Sequence, residues 1–151
     1  LRSLVGSEMC IRDREKLGIK KPTRVLDASI YPDAVIGLSV ASGVVEGYTK
    51  VINIERLRYK ESNRIDSTIE MLENLGLKVK LTDNEFSFYS VEKYRSCMID
   101  SRNDHRIVMA SAVASNFTDG EIIIKNAEAV FKSYGRFFLD YKKLGGKVDV
   151  I

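Results

Sequence analysis

One histidine, two cysteines, two prolines and no tryptophan occur among the 151 residues of the chain. A single histidine cannot build a zinc site with Cys10 and Cys97, which stand far apart without ligand spacing, so no metal is expected. The same two cysteines show no disulfide pattern, and a reducing cytoplasm is the expected setting. No apolar run approaches the roughly 20 residues that a membrane span needs. Excess charge of one sign is scarce too. The formal net charge is +3, with no long basic run and no basic stripe studded with aromatics, which argues against a nucleic acid partner. A few placed arginines and lysines suit small anions instead. Hydrophobic residues at 44% and charged residues at 30% describe a soluble globular chain, long enough for one domain or a piece of a larger one.

Residues 1–14 read differently from the rest. "SLVGSEMCIRDR" (3–14) has no period, no turn logic and no signal-peptide layout, and it resembles translated sequencing-adapter read-through. It is expected to be an artefact, unstructured or non-native, with the true N-terminal portion of the protein missing. From residue 24 the periods become legible. "RVLDASI" (24–30) predicts a strand, and Pro32-Asp33 opens "DAVIGLSVASGVV", apolar on every side as a buried helix is, with Gly47 as its stop. "YTKVINI" (48–54) predicts a strand. "ESNRIDSTIEMLENLG" places Ile65, Ile69, Leu72 and Leu75 on one helical face before Gly76. "LKVKL" and "EFSFY" predict a hairpin.

The order then recurs. "SCMID" (96–100) predicts a strand, "RIVMASAVASNF" a second buried helix stopped by Gly120, and "EIIIKN" a strand. "SYGRFFLDYKKLGG" predicts an amphipathic helix and "KVDVI" a last strand. Asp33 aligns with Asp104, Lys60 with Lys132, Arg64 with Arg136 and "LGLKV" with "LGGKV", at an offset of about 70 residues. The expected fold class is therefore α/β (α+β), built from about two repeated units, near 24–90 and 96–151.

Charged residues gather at the starts of these helices. Asp33, the Lys60–Arg64 cluster, Asp104-His105-Arg106 and Lys132 lie at or just before helix N-termini, where unpaired amides and the helix dipole favour anions. Each has a bland reading as well. An Asp after Pro is ordinarily a helix cap, "KESNR" alone a solvated first turn, and a lone histidine a satisfied surface or core residue. Their joint occurrence at repeat-related positions favours a site that holds an anion and moves a proton.

"RYKESNRI" (58–65), "NDHR" (103–106) and "KSYGRFF" (132–138), in this order and spacing and preceded by "YPDA" (31–34), resemble signatures of the 3-phosphoshikimate 1-carboxyvinyltransferase (EPSP synthase) family. The likeness spans about residues 24–151. Asn63 stands where the family has Asp, and Gly135 where a Pro is common. The resemblance implies the enolpyruvyl transferase fold of repeated βαβαββ units, with residues 15–151 forming the C-terminal part of one domain. It implies transfer of the enolpyruvyl group of phosphoenolpyruvate to the 5-hydroxyl of shikimate 3-phosphate, without metal or cofactor, in a monomer. Residue by residue, it implies Asp33 as the base near the attacking hydroxyl and Lys60 as a ligand of the shikimate phosphate. Glu61 becomes the acid/base carboxylate at the phosphoenolpyruvate methylene. Arg64 and Arg106 grip that substrate, Lys132 binds it and donates a proton, and His105 lines the site. The chemistry asks for the same types: guanidinium groups bind phosphate and carboxylate in bidentate fashion, and moving two protons needs an acid and a base. Two alternatives stay open: a UDP-N-acetylglucosamine enolpyruvyl transferase-like enzyme, and a non-catalytic anion-binding module. The fragment alone is expected to be inactive.

Overall fold

A computed structural model describes residues 23–150 of the chain. Strand β1 (Thr23–Asp27) leads to helix α1 (Val35–Gly43) and strand β2 (Tyr48–Ile52). A 3-10 segment (Ile54–Tyr59) precedes helix α2 (Arg64–Asn74) and the strands β3 (Val79–Leu81) and β4 (Glu85–Tyr89). Strand β5 (Cys97–Asp100), helix α3 (His105–Ala114) and strand β6 (Ile122–Lys125) follow, then a 3-10 segment (Ala127–Lys132) and helix α4 (Phe137–Lys143). A third 3-10 turn, Ser115–Phe117, extends α3.

The strands form a four-stranded sheet, ordered β1-β2-β4-β3, and a separate β5-β6 pair. β1 runs parallel to β2 and β5 parallel to β6, while β4 is antiparallel to both β2 and β3. Each parallel pair is bridged by a helix, as parallel pairing requires, because a tight turn cannot return the chain in the same direction. The order strand, helix, strand, 3-10 segment, helix thus occurs twice, and one corner recurs in detail. Asn53 and Asn126, directly after β2 and β6, both adopt the left-handed region at φ 57° and 54°. Each donates its side-chain amide to an aspartate ending the paired strand, Asp27 at 3.1 Å and Asp100 at 3.0 Å. Asparagine tolerates this backbone better than most residues, and here its side chain also ties the corner shut.

The units differ at their ends. Residues 147–150, expected to be a strand, form none, and Val150 is almost fully exposed. A strand needs a neighbour to satisfy its backbone groups, and no described strand lies beside this one. The two buried helices also end earlier than the glycines marked as their stops, at Gly43 and Ala114 rather than before Gly47 and Gly120. Helix α1 ends where Gly43 meets Tyr94: a β-carbon on Gly43 would collide with the Tyr94 hydroxyl, which donates to the Val40 carbonyl. Burial raises the Tyr94 phenol pKa well above its ordinary value, so the hydroxyl keeps its proton and remains a donor. Gly76, by contrast, closes α2 at φ 101°, with Leu77 N donating to Leu72 O at 3.0 Å and the Leu77 side chain buried.

One core joins α1, α2, the sheet and α3 through Ile36, Val40, Leu72, Phe86, Ile99 and Ile107. A smaller cluster of Val108, Ala129 and Val130, with Phe137 and Phe138 against it, seats the last helix. Small residues let α1 and α3 approach closely, and Ser39 avoids leaving its buried hydroxyl unpaired by donating to Val35 O at 2.7 Å. Packing these helices side by side brings their N-terminal ends, and the start of α2, to one place.

Candidate functional site

Arg64 is the first residue of α2 and sits 1% exposed, an unusual location for a guanidinium. Three carboxylates account for it. Its Nε donates to Asp104 Oδ2 at 2.8 Å, Nη1 to Asp33 Oδ1 at 2.6 Å, and Nη2 to Glu61 Oε2 at 2.5 Å. The planar fork of arginine suits this division, with donors pointing along separate directions in one plane. Burial works against the charged guanidinium, but the Asp104, Asp33 and Glu61 carboxylates together raise its pKa above the ordinary value. Desolvating one cation against several anions needs such complete pairing to be tolerable.

Asp104 is fully buried and serves a second purpose. As the N-cap of α3 it accepts from Arg106 N at 2.9 Å, and it also accepts from Ser62 Oγ at 3.0 Å. Burial alone would raise its pKa; hydrogen bonds from Arg64 and Arg106 N, with the Arg64 charge, bring it below the ordinary carboxylate value. Ser67 Oγ in turn donates to Ser62 Oγ at 3.0 Å, extending the network along α2. Asp104 stood among the charged helix starts seen in the sequence but was given no role, and Ser67 was not expected at all. The capping position of Asp104 in "NDHR" was the one visible signal; its contact with a residue 40 positions away was not.

Asp33 turns out not to cap α1. The N-cap is Ala34, with no side-chain capping bond, and the half-exposed Asp33 carboxylate faces cations instead. Arg106 Nη2 lies 3.6 Å from Oδ2 and Lys60 Nζ 3.8 Å from Oδ1, beyond the 2.6 Å bond from Arg64. The Arg64 hydrogen bond, helped by the charges of Arg106 and Lys60, lowers the Asp33 pKa despite partial burial. Glu61, with a 43% exposed side chain just before the helix, is tied within the cluster to Arg64, three residues on.

The structure therefore brings Asp33, Lys60, Glu61, Arg64 and Arg106 into one charge cluster. His105 lies beside it, buried, with Nδ1 at 4.0 Å from Asp104 Oδ1 and no hydrogen-bond partner. Arg106 Nε is likewise buried and unpartnered, and the side chain borders a groove lined by Ile36, Gly37, Met109, Ala110 and Val113. Lys132 is held apart from the carboxylates: its exposed Nζ donates to the Asn103 carbonyl at 2.7 Å. Among the described residues, no group of three or more His, Cys, Asp or Glu side chains is placed to hold a metal ion. No helix among them is long and apolar enough to cross a membrane.

Chemically, the cluster offers carboxylates beside guanidinium and ammonium groups at converging helix starts. It can hold an anion on Lys60 and Arg106 while Asp33 or Glu61 accepts or donates a proton. Comparison with known proteins points the same way. A family model described as EPSP synthase (3-phosphoshikimate 1-carboxyvinyltransferase) matches residues 7–140. A 3-phosphoshikimate 1-carboxyvinyltransferase from Brachyspira hyodysenteriae is 33% identical over 148 residues, covering 95% of this chain and 35% of that protein. One from Clostridium novyi is 41% identical over 124 residues, covering 82% of this chain and 28% of that protein. The chain thus spans about a third of the length of these relatives. An EPSP synthase structure from Acinetobacter baumannii superposes with a TM-score of 0.67 at 27% identity, over 72% of this chain and 26% of that one. A second, at 23% identity and a TM-score of 0.74 over 82% of this chain and 29% of that one, shares the mixed α/β fold.

Proposed function

Since the chain belongs to the EPSP synthase family, we propose that it carries one wall of a site transferring the enolpyruvyl group of phosphoenolpyruvate to the 5-hydroxyl of shikimate 3-phosphate. The observation behind this reading is the pairing of Arg64 with Asp33, Glu61 and Asp104, edged by Lys60 and Arg106. A pocket built only to bind anions is weakened by carboxylates. Carboxylates among the cations make sense where protons move.

The reaction divides among these residues as follows. The 5-hydroxyl oxygen forms a bond to C2 of phosphoenolpyruvate while its proton passes to the Asp33 carboxylate. The methylene carbon takes a proton from Glu61, giving a tetrahedral adduct. Glu61 then takes a proton back from the methyl group as the C2–O bond to phosphate breaks, and phosphate leaves with the proton that Asp33 took from the hydroxyl. Arg106 and Lys132 hold the phosphate and carboxylate of phosphoenolpyruvate, Lys60 the phosphate of the acceptor, and His105 lines the site. Asp33, kept ionised by Arg64, is in the form that accepts the hydroxyl proton, although the same pairing lowers its basicity. Arg64 fixes both reacting carboxylates, and its Nη2 becomes available to phosphoenolpyruvate when Glu61 swings away to meet the methylene. On this reading the enzyme works as a monomer in the cytoplasm, without metal or cofactor.

The test is phosphate release with both substrates. The 151-residue chain alone should release none, because one wall neither orients the hydroxyl nor excludes water. Orientation alone is worth about 7–11 kcal/mol in favourable bimolecular cases. Mixing the chain with a fragment supplying the remaining length of a relative should restore release. Turnover by the chain alone refutes the one-wall reading. Release with UDP-N-acetylglucosamine but not shikimate 3-phosphate would assign the chain to the other acceptor.

A further inference from the structure

The two lysines that the repeat relates are held in different ways. Lys60 lies 3.8 Å from a carboxylate, Asp33, whereas Lys132 donates at 2.7 Å to a backbone carbonyl, that of Asn103. Among the described residues, no carboxylate lies within salt-bridge distance of Lys132. The carbonyl is available because the segment before α3 is bent. Arg102 and Asn103 are consecutive non-glycine residues in the left-handed region, at φ 49° and 60°. The corresponding segment of the first unit, around Pro32, has no positive φ.

This bend is braced from several sides. Asp100 Oδ1 accepts from Arg102 N at 2.8 Å, and Ser101 Oγ accepts from Asn103 N at 3.1 Å while donating to Asn126 O at 3.0 Å. The Arg102 guanidinium is tied to Glu70 on α2. Left-handed backbone is unfavourable for residues with a β-carbon, least so for asparagine, and it persists only when its surroundings hold it. Asn103 itself is exposed, so burial of its side chain does not explain the arrangement.

We infer that Asn103 is a positioning residue for Lys132: its left-handed backbone turns a neutral carbonyl toward the ammonium and orients it without cancelling its charge. A carboxylate in that place would neutralise the lysine, as Asp33 partly does for Lys60. A dipole leaves a full positive charge for an incoming anion. The value of that charge rests on the proposed function, but the geometry of the tether does not.

The experiment therefore has one arm without substrate. The 151-residue chain is reductively methylated with formaldehyde under limiting reagent, and the rate at Lys132 is read by mass spectrometry against exposed Lys142 and against Lys60. Lys132 in the parent chain should react roughly threefold slower than Lys142, as the loss of one modest hydrogen bond implies. Asn103→Gly, which holds the left-handed backbone without a side chain, should keep Lys132 slow. Asn103→Val, whose branched side chain disfavours that backbone, should bring Lys132 to the Lys142 rate and leave Lys60 unchanged. If Asn103→Val unfolds the chain, so that all lysines speed up, Asn103→Ala imposes the same backbone penalty with less bulk and should raise Lys132 alone. Equal Lys132 rates in the parent, Gly and folded Val or Ala chains overturn the proposal. So does a Gly variant as fast as Val, because the side chain and not the backbone would then hold the lysine. A second arm measures inorganic phosphate binding in the chain complemented with a fragment supplying the remaining length of a relative. Asn103→Val should weaken it in the parent but not in a Lys132→Met background. A methylation result as expected with no effect on phosphate binding keeps the tether and refutes the role given to Lys132 in the reaction.

Discussion

Replacing Asp104 with alanine tests whether the charge cluster holds the fold as its geometry demands. The carboxylate is fully buried and accepts from Arg64 Nε, Ser62 Oγ and Arg106 N. Its removal leaves a buried guanidinium with two carboxylates that are each about half exposed, Asp33 and Glu61. Breaking a buried ion pair typically costs 3–5 kcal/mol, and the surviving partners put this case near about 3. Loss of the α3 cap adds about 1 kcal/mol. The expected destabilisation is therefore about 4 kcal/mol. With a urea slope of about 2 kcal/mol/M, the unfolding midpoint should fall by about 2 M. Arg64→Met in the same chain supplies the control. An alanine facing a methionine has no stranded charge, so the double variant should recover about half the loss or more. A single-variant loss below about 1 kcal/mol, the range of an exposed pair, would refute the reasoning. Strictly additive losses in the double variant would refute it equally.

Other outcomes follow from the same geometry. In a chain complemented to full length, Glu61→Gln should keep phosphoenolpyruvate binding and lower turnover by a factor on the order of 10²; unchanged turnover removes Glu61 from the proton path. Asp33 and Asp104 both have pKa values lowered from the ordinary 3.8, so the unfolded chain takes up protons first on acidification. Their stabilisation is complete above about pH 4 and is lost as pH falls through the folded values, and Asp104→Asn should flatten that decline in a urea titration. A decline of undiminished slope in that variant would place the acid sensitivity elsewhere. Gly43→Ala should cost about 1–3 kcal/mol through its collision with the Tyr94 hydroxyl, and less in a Tyr94→Phe background; equal cost in both would mean the hydroxyl is not what the methyl group meets.

The amphipathic pattern of α2 and the small-residue helices α1 and α3 were legible because burial there follows a local period. Four strands of the sheet and the β5-β6 pair also lie where alternation or apolar runs put them. The 3-10 segments were not foreseen: Ile54 and Leu57 are buried at a spacing of three, too short a run to stand out from a helix or a loop. "KVDVI" failed for a different reason. Alternating valines satisfy a strand pattern, but pairing is decided by a neighbour that sequence does not name. In the site, the charged residues were visible and their depth was not. Arg64 reads as one more polar residue in a first turn, because only Glu61 of its three partners is near in sequence, while Asp33 and Asp104 lie 31 and 40 residues away. Asp33 shows the converse, since its position after Pro32 suggests a cap that the backbone gives to Ala34.

The reach of Arg64 along the chain also sets an order of events in folding. Its partners Asp33 and Asp104 lie 31 and 40 residues away, so the cluster closes only after two long loops have been brought together. Loop closure is lost entropy that must be met before such contacts return anything, whereas a helix such as α2 forms from neighbours. The ion network should accordingly be absent at the folding barrier and complete only beyond it. A chevron plot of Asp104→Ala should show its unfolding limb raised and its folding limb almost unmoved. A slowed folding limb would place the cluster in the nucleus instead. The buried arginine acts, in this sense, as a latch on a finished structure: it lengthens the lifetime of the folded chain without helping the chain to find its fold.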